Sequence, residues 1–194
     1  MDENALLKIY DFPIFFFPKF SHPDPTVRRR SGFLVPSLSN STTVGSGFKT
    51  PYFWDIANDK DLTLTPKLYL NENPLLLAEY RQDFEKSFLI LDTSYTAGYK
   101  KKDNLKSDGG RTHLFGKLNH TFIDTENETS ELEINFQKVS NDTYFKVHDI
   151  KTELVDKDNP ILENSLDYFY QNKNFFLSLT PSYYEDTTKV GNLR

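Results

Sequence analysis

The 194-residue sequence contains no cysteine and no apolar run of the length that a membrane helix needs. Without cysteine, these residues form neither a disulfide framework nor a thiolate metal site. The strongest apolar run, Ile14–Phe17, lies between Pro13 and Pro18, whereas a spanning helix requires roughly 20 apolar residues. A helical membrane protein is therefore excluded. A membrane β-barrel is not, because its strands give only a weak alternating signal.

The sequence has no excess of positive charge, and no targeting segment is predicted in it. The net charge of -5 at pH 7 argues against a general nucleic-acid-binding protein. Residues 1–10 have neither the basic nor the uninterrupted apolar segment of a secretory signal peptide, so none is predicted here. The apolar fraction is only 37%, yet aromatic residues reach 15%. That combination is typical of a sheet with one apolar and one polar face.

Apolar and polar residues alternate in nine segments after residue 31, and no window shows a helical period. The segments are Phe33–Ser39, Phe48–Asp55, Asp61–Leu70, Leu75–Asp83, Phe88–Tyr99, His113–Ile123, Glu131–Val139, Ile161–Tyr170 and Asn174–Tyr184. Most are close to the ~9–11 residues that cross a bilayer as a tilted strand. Alternation predicts an all-β protein and leaves two choices open, a membrane barrel and a soluble β-sandwich or β-solenoid.

The connections between these segments alternate in length. Gly45–Gly47 is predicted to be a hairpin turn and not a phosphate loop, because no helix follows it. The other predicted short turns are Asn58–Lys60, Phe84–Ser87, Asp124–Ser130 and Gln171–Lys173. Tyr99–Thr112 and Ser140–Pro160 are predicted to be long polar loops, although Asn71–Pro74 is short. Short turns at one end and longer loops at the other are typical of outer-membrane barrels.

The four histidines do not converge on a catalytic or metal site. His22 and Asp24 lie two residues apart, but no third ligand is nearby, so turn capping before a proline-fixed bend is the preferred interpretation. His148 falls in a polar loop, and His113 and His120 fall on strand flanks without a partner motif. The sequence therefore predicts no enzyme, no cofactor and no metal.

Arg28, Arg29 and Arg30 form the one basic run with a functional interpretation. Guanidinium groups bind phosphate through paired hydrogen bonds, so this run is a candidate contact for anionic lipid headgroups at a membrane surface. The equal alternative is a solvated loop or pairing with local acids such as Asp24.

Pro36 and Pro51 each fall inside an otherwise regular strand pattern. Proline cannot donate a ladder hydrogen bond and is normally confined to sheet edges or bulges. Two adjacent strands that both contain proline predict a weakly bonded seam, which in a closed barrel would be able to open sideways. The alternative is that one of these prolines marks a strand end, as Pro66 also would.

Long stretches of the sequence resemble the LptD family of lipopolysaccharide-assembly proteins, also called organic solvent tolerance proteins. The residues that carry the resemblance are V-R-R-R-S-G-F-L-V-P-S at 27–37, P-Y-F-W-D-I-A at 51–57 and D-L-T-L-T-P at 61–66. S-H-P-D-P-T, E-Y-R and V-S-N-D-T-Y-F fit the same family in the same order. The likeness extends from Ile9 to Tyr184.

The resemblance implies a periplasmic β-jellyroll followed by a very large outer-membrane β-barrel. Residues 1–20 then correspond to the end of the jellyroll, 21–31 to a linker and 32–194 to the N-terminal part of the barrel. About nine antiparallel transmembrane strands belong to this part, and they remain an open sheet because so few strands cannot close such a barrel.

The resemblance also implies a function and a location. Lipopolysaccharide would be inserted into the outer leaflet of the outer membrane through a lateral gate between the first and last barrel strands. Pro36 and Pro51 match the gate prolines of the family, and Ser37 falls where the family can carry asparagine. The implied partners are lipopolysaccharide, an LptE-like plug lipoprotein, a periplasmic LptA-like bridge protein and outer-membrane lipids, with no nucleic acid.

Two alternatives remain open. A passive porin-like barrel would conduct solutes without a plug. A soluble β-sandwich binding module would pack the face of Leu62, Leu64 and Leu68 into a core, whereas a barrel turns this face towards lipid.

Overall fold

The computed structural model describes residues 2–9, 12–20, 29–41, 43–100, 109–141, 143–156, 159 and 161–187. The chain divides into two compact units, Met1–Arg30 and Ser31–Arg194. No helix in these described ranges is long and apolar enough to span a membrane.

The first unit contains an antiparallel hairpin of β1 (Asp2–Ile9) and β2 (Phe12–Phe20). The sequence predicts a single strand over residues 1–20, so this prediction is wrong by one strand. Residues 5–7 form a continuous apolar run without alternation, which leaves β1 unmarked in the sequence. Backbone pairing with β2 makes it a strand.

The described residues of the second unit form one antiparallel sheet of twelve strands. The strands are β3 (Gly32–Phe33), β4 (Ser37–Ser41), β5 (Gly45–Lys49), β6 (Tyr52–Ala57), β7 (Lys60–Tyr69), β8 (Leu75–Phe84), β9 (Ser87–Thr96), β10 (Arg111–Thr125), β11 (Glu128–Val139), β12 (Ile161–Asn172), β13 (Phe176–Leu179) and β14 (Ser182–Asp186). The all-β, antiparallel and open architecture that the sequence predicts is confirmed.

These twelve strands make nine passes across the sheet, as predicted, because three passes are each divided into two strands. β3 and β4 form the first pass, β5 and β6 the second, and β13 and β14 the ninth. Each division contains a proline, at Pro36, Pro51 and Pro181. Proline has no N–H for the ladder, which explains why pairing lapses at these three places.

The first hairpin turn lies before the position that the sequence predicts. Gly45–Gly47 belongs to β5, and the turn falls at Thr43 and Val44. Gly45 begins the strand with a φ of 76°, a left-handed conformation that glycine adopts without strain. The glycines therefore mark the start of a strand and not the turn itself.

The two faces of the sheet have opposite character. On β7 the residues Asp61, Lys67 and Tyr69 are buried, whereas Leu68 and Leu70, which follows the strand directly, are 51% and 79% exposed. The apolar side chains that share the exposed face include Leu68, Leu70, Leu76, Leu91, Leu114 and Phe136. We call this the uncovered face. Leu62 and Leu64 on the same face are only partly buried, so no core covers the leucines of β7.

The opposite face is mainly polar, and residues 143–156, in the loop between β11 and β12, cover part of it. We call it the loop-covered face. The loop is not the wholly polar segment that the sequence predicts. It forms a one-turn helix α1 (Tyr144–Val147) and buries Tyr144, Phe145 and Ile150. These side chains join Phe115 and other strand residues in the main buried apolar cluster.

Candidate functional site at the interrupted strands and the covering loop

Pro36 and Pro51 lie at the divisions of the first and second passes, immediately before β4 and β6. The carbonyl oxygen of Pro51 accepts a hydrogen bond from the Leu34 N–H at 2.8 Å. The nitrogen and oxygen of one residue in an antiparallel ladder point to the same side. The Pro51 nitrogen therefore faces the first pass as well, where it has no hydrogen to donate.

The register of the first two passes shifts across the prolines. Phe33 pairs with Tyr52, whereas Ser37 pairs with Lys49. Between these two pairs the first pass has three residues (34 to 36), whereas the second has two (50 and 51). One extra residue in one strand is a bulge, which disrupts the ladder locally and bends the strand.

Pro66 is the corresponding proline of the third pass. It lies fifteen residues after Pro51, the same spacing as between Pro36 and Pro51. It lies within β7 and does not mark a strand end, so that alternative is wrong for Pro66. Its carbonyl oxygen accepts from the Thr50 N–H at 3.3 Å, a long hydrogen bond. By the same geometry the Pro66 nitrogen faces the second pass without a donor.

The predicted site residues are only partly assembled by the structure. Ser37 begins β4, is exposed and pairs with Lys49. Arg28 lies outside the described residues. Arg29 and Arg30 are exposed and belong to the first unit.

The covering loop is attached to β7 through His148. The Lys67 ammonium donates to the carbonyl oxygen of His148 at 2.8 Å, and the Tyr69 hydroxyl lies 3.0 Å from His148 Nδ1. His148 is only 3% exposed. Burial lowers the pKa of His148 to about 4, and the positive charges of Lys67 and Arg111 act in the same direction. The sequence places His148 in a polar loop without a partner, whereas the structure buries it against β7.

A second buried network attaches the loop to β9 and β10. His113 is fully buried, with Nε2 3.0 Å from an Asp92 carboxylate oxygen and Nδ1 2.6 Å from the Ser94 hydroxyl. The Ser94 hydroxyl also lies 2.6 Å from the Tyr144 hydroxyl. Burial raises the pKa of Tyr144 to about 12. Ser94 is buried beneath the loop and bonded on both sides, so the group holds the loop in place.

Sequence reasoning missed this network because its members are far apart in the chain. Ser94 and Tyr144 are 50 residues apart, and His113 lies on a different strand from Asp92 and Ser94. Alternation was the one sequence signal for this network, because it places Asp92 and Ser94 on the same face of β9. His120 lies elsewhere, with Nδ1 2.6 Å from the Ser87 hydroxyl. Within the described ranges no three His, Cys, Asp or Glu side chains are placed to hold a metal.

An antiparallel sheet with an apolar uncovered face and a polar covered face is the wall of a β-barrel-type protein, open in this chain. No family model matches the chain. It is similar to LPS-assembly protein LptD of Nitrosococcus oceani, with 32% identity over 168 residues, 87% of this chain. LptD of Legionella pneumophila (strain Paris) is 29% identical over 93% of the chain, and LptD of Shewanella oneidensis is 31% identical over 78%.

The chain belongs to the LptD family, which confirms the resemblance that the sequence motifs carry. It spans about a fifth of the length of these curated relatives, namely 21%, 22% and 19%.

Proposed function

We propose that this chain forms the first part of an outer-membrane barrel that delivers lipopolysaccharide to the outer leaflet. Its uncovered face contacts lipid and its loop-covered face lines the lumen. The exposure of Leu68, Leu70 and their neighbours supports this assignment, because such a face would be costly in water. Trp54, Phe84 and Phe122 are exposed near the short-turn ends of their strands, where an aromatic girdle meets the membrane interface.

The first two passes form one side of a lateral exit in this proposal. The observation that carries it is the interruption of both passes at Pro36 and Pro51, with a one-residue shift of register between them. Each missing ladder bond costs ~0.5–1.5 kcal/mol net. A seam bordered by these strands therefore opens at modest cost, while the ladders that join β8, β9 and β10 remain continuous.

An amphipathic lipid needs such an exit because its two parts require different surroundings. Sugars and phosphates lose hydration in hydrocarbon, whereas acyl chains are driven out of water. A polar lumen beside an apolar outer face, joined at a weak seam, satisfies both parts at once. The interrupted strands supply the seam, and the two faces of the sheet supply the two surroundings.

The remaining expectations of the resemblance belong to the same proposal. The hairpin of β1 and β2 is the end of a periplasmic jellyroll that receives lipopolysaccharide from an LptA-like bridge. An LptE-like lipoprotein occupies the lumen of the complete barrel. Arg28, Arg29 and Arg30 contact anionic headgroups, since Arg29 and Arg30 are exposed and guanidinium binds phosphate well.

The test replaces both prolines in the complete protein that contains this chain, as Pro36→Ala and Pro51→Ala. Alanine supplies the missing N–H, so up to two ladder bonds between the first passes return, worth about 1–3 kcal/mol together, and the strands that border the seam become more rigid. We expect surface lipopolysaccharide to fall in this double variant. Pro181→Ala is the matched control, because it repairs an interrupted pass away from the seam. Normal surface lipopolysaccharide in the double variant would contradict the proposal.

A further inference from the structure

The hairpin of β4 and β5 is set apart from the rest of the first two passes. Pro36 directly precedes β4, and Pro51 follows the end of β5 by two residues, so both strands are interrupted at the same end of the hairpin. The turn residues Thr43 and Val44 lie at the other end. We call β4, β5 and these turn residues the seam hairpin. Because a proline position contributes no N–H to the ladder, the hairpin bends at least cost at its base.

The ladder between the seam hairpin and the third pass is short. It consists of the pairs Gly47–Tyr69, Phe48–Leu68 and Lys49–Lys67. The Leu70 N–H extends it by donating to the Ser46 carbonyl oxygen at 3.1 Å. By contrast, β8 and β9 pair along their whole lengths. Backbone pairing with β7 therefore holds the hairpin less firmly than the central strands hold one another.

The tip of the seam hairpin is buried, although connecting segments normally lie at the surface. Val44 is 2% exposed. It belongs to the same buried apolar cluster as Tyr144, Phe145 and Ile150 of the covering loop. On the uncovered face of the hairpin, Leu38 is 80% exposed. Burial of Val44 is favourable because it removes an apolar side chain from water, and this gain lasts only while the cluster is assembled.

Tyr69 provides a second connection between the seam hairpin and the covering loop. Its ring lies against the backbone of Gly47, since a Cβ atom at Gly47 would be 3.0 Å from Tyr69 Cδ1. Its hydroxyl lies 3.0 Å from Nδ1 of His148 in the loop. Tyr69 also belongs to the buried apolar cluster. One side chain of β7 therefore contacts the hairpin and the loop at once.

The covering loop is anchored to strands of the wall beyond the hairpin. The hydroxyls of Ser94 and Tyr144 join it to β9, and Lys67 joins it to β7. Gln137 Nε2 of β11 donates to the Leu154 carbonyl oxygen at 3.2 Å. The ladders from β7 to β10 are continuous. The loop therefore connects a weakly paired hairpin to strands that are firmly paired.

We propose that the covering loop is a latch for the seam hairpin. While the loop is docked, the contacts of Val44 and Tyr69 hold the hairpin against β7. Once the loop is released, the cluster around Val44 opens, Tyr69 loses its partner, and the hairpin turns outward about Pro36 and Pro51. This inference rests on the function proposed above, because it concerns the opening of the same seam. Release of one loop then makes the polar lumen and the lateral exit available at the same step.

The first test follows amide hydrogen exchange of β5 and of residues 143–156 in the complete protein that contains this chain. Tyr69→Phe removes the hydroxyl that holds His148 and keeps the ring on Gly47. We expect exchange in the loop and in β5 to rise together, by about two- to tenfold, the effect of one lost hydrogen bond. Exchange in β8 and β9 should not change. Faster exchange in the loop with unchanged exchange in β5 would overturn the latch.

A second pair of variants tests the buried cluster from both sides. Ile150→Ser in the loop should raise exchange in β5, and Val44→Ser at the tip should raise exchange in the loop, each by about tenfold, since linkage is reciprocal. Lys146→Ser and Leu38→Ser are the matched controls, because these side chains are exposed on the loop and on the hairpin. Controls that loosen the other element equally would overturn the role of the cluster.

The proline variant tests the base of the hairpin. With Pro36→Ala and Pro51→Ala present, Ile150→Ser should raise exchange in β5 less than it does in the parent protein, because the base regains N–H donors. Equal rises in both backgrounds would overturn bending at the prolines.

The latch and the proposed function fail separately. Independent exchange in the loop and in β5, together with reduced surface lipopolysaccharide in the Pro36 and Pro51 variant, would contradict only the latch. Linked exchange together with normal surface lipopolysaccharide in that variant would support the latch and contradict only the proposed function.

Discussion

The buried ammonium of Lys67 donates a hydrogen bond to the carbonyl oxygen of His148 across 81 residues of sequence. Tyr69, two residues further along β7, contacts the ring of the same histidine at Nδ1. The covering loop is therefore attached to the third pass, which borders the interrupted second pass. β7 therefore contacts both the covering loop and the interrupted second pass.

Replacing Lys67 with methionine should loosen the covering loop. The variant retains an apolar stem but leaves the buried His148 carbonyl without its donor, at a cost of about 1–3 kcal/mol. Opening of the loop should become about tenfold more frequent or more. Trypsin cleavage after Lys146 and Lys151 measures this opening. The exposed variant Lys86→Met serves as the control, and equal cleavage rates in both variants would contradict the role of Lys67.

Acid should release the same loop through His148. Its pKa is lowered from 6.5 to about 4 when the loop is docked, so the undocked state binds more protons between these values. The contribution to docking is fully present above about pH 6.5 and is lost as the pH falls towards 4, by roughly 3 kcal/mol in total. Hydrogen exchange of residues 143–156 at pH 7.5 and pH 5 measures the effect.

His148→Gln isolates that contribution from other acid effects. Glutamine does not titrate, so exchange of the loop in this variant should change less between the two pH values. An equal pH dependence in the variant and the parent protein would exclude His148 as the sensitive group.

The Ser94–Tyr144 contact should show energetic coupling between the wall and the loop. Tyr144→Phe removes one hydroxyl and should cost about 1 kcal/mol. Ser94→Ala should cost more, because it also leaves Nδ1 of the buried His113 without its partner. The double variant should lose less than the sum, with a coupling of about 0.5–1.5 kcal/mol. Thermal denaturation in detergent measures the four proteins of this cycle, and strict additivity would show that the two hydroxyls act independently.

Alternation alone predicted an all-β protein and the number of passes, whereas the choice of a barrel came from the family resemblance. Segments such as Asp61–Leu70 and Glu131–Val139 became β7 and β11 with bounds within a few residues. The prediction succeeded because the period of two is local, and each strand repeats it regardless of its partners. The exposure of Leu68 beside the burial of Lys67 also follows from that period once the buried face is known.

The interruptions and the covering loop were harder to predict. The sequence indicated that Pro36 and Pro51 are unusual within strands. It did not predict that each pass divides at its proline, or that Pro66 remains inside a strand. The loop was predicted to be polar because its apolar residues, among them Tyr144, Phe145 and Ile150, have no local period. Their burial depends on strands that lie up to 81 residues away, as the contact from Lys67 to His148 shows.

The sequence by itself determined the antiparallel all-β architecture, the two-faced character of each strand and, through its motifs, membership of the LptD family. Only the tertiary structure decided that His113 and His148 are buried, that lysines of different strands form one row, and that the polar face is the covered one. Local periodicity dictates how side chains alternate along one strand. Register and long-range packing decide which of them meet, because they bring together residues that no short window of sequence contains.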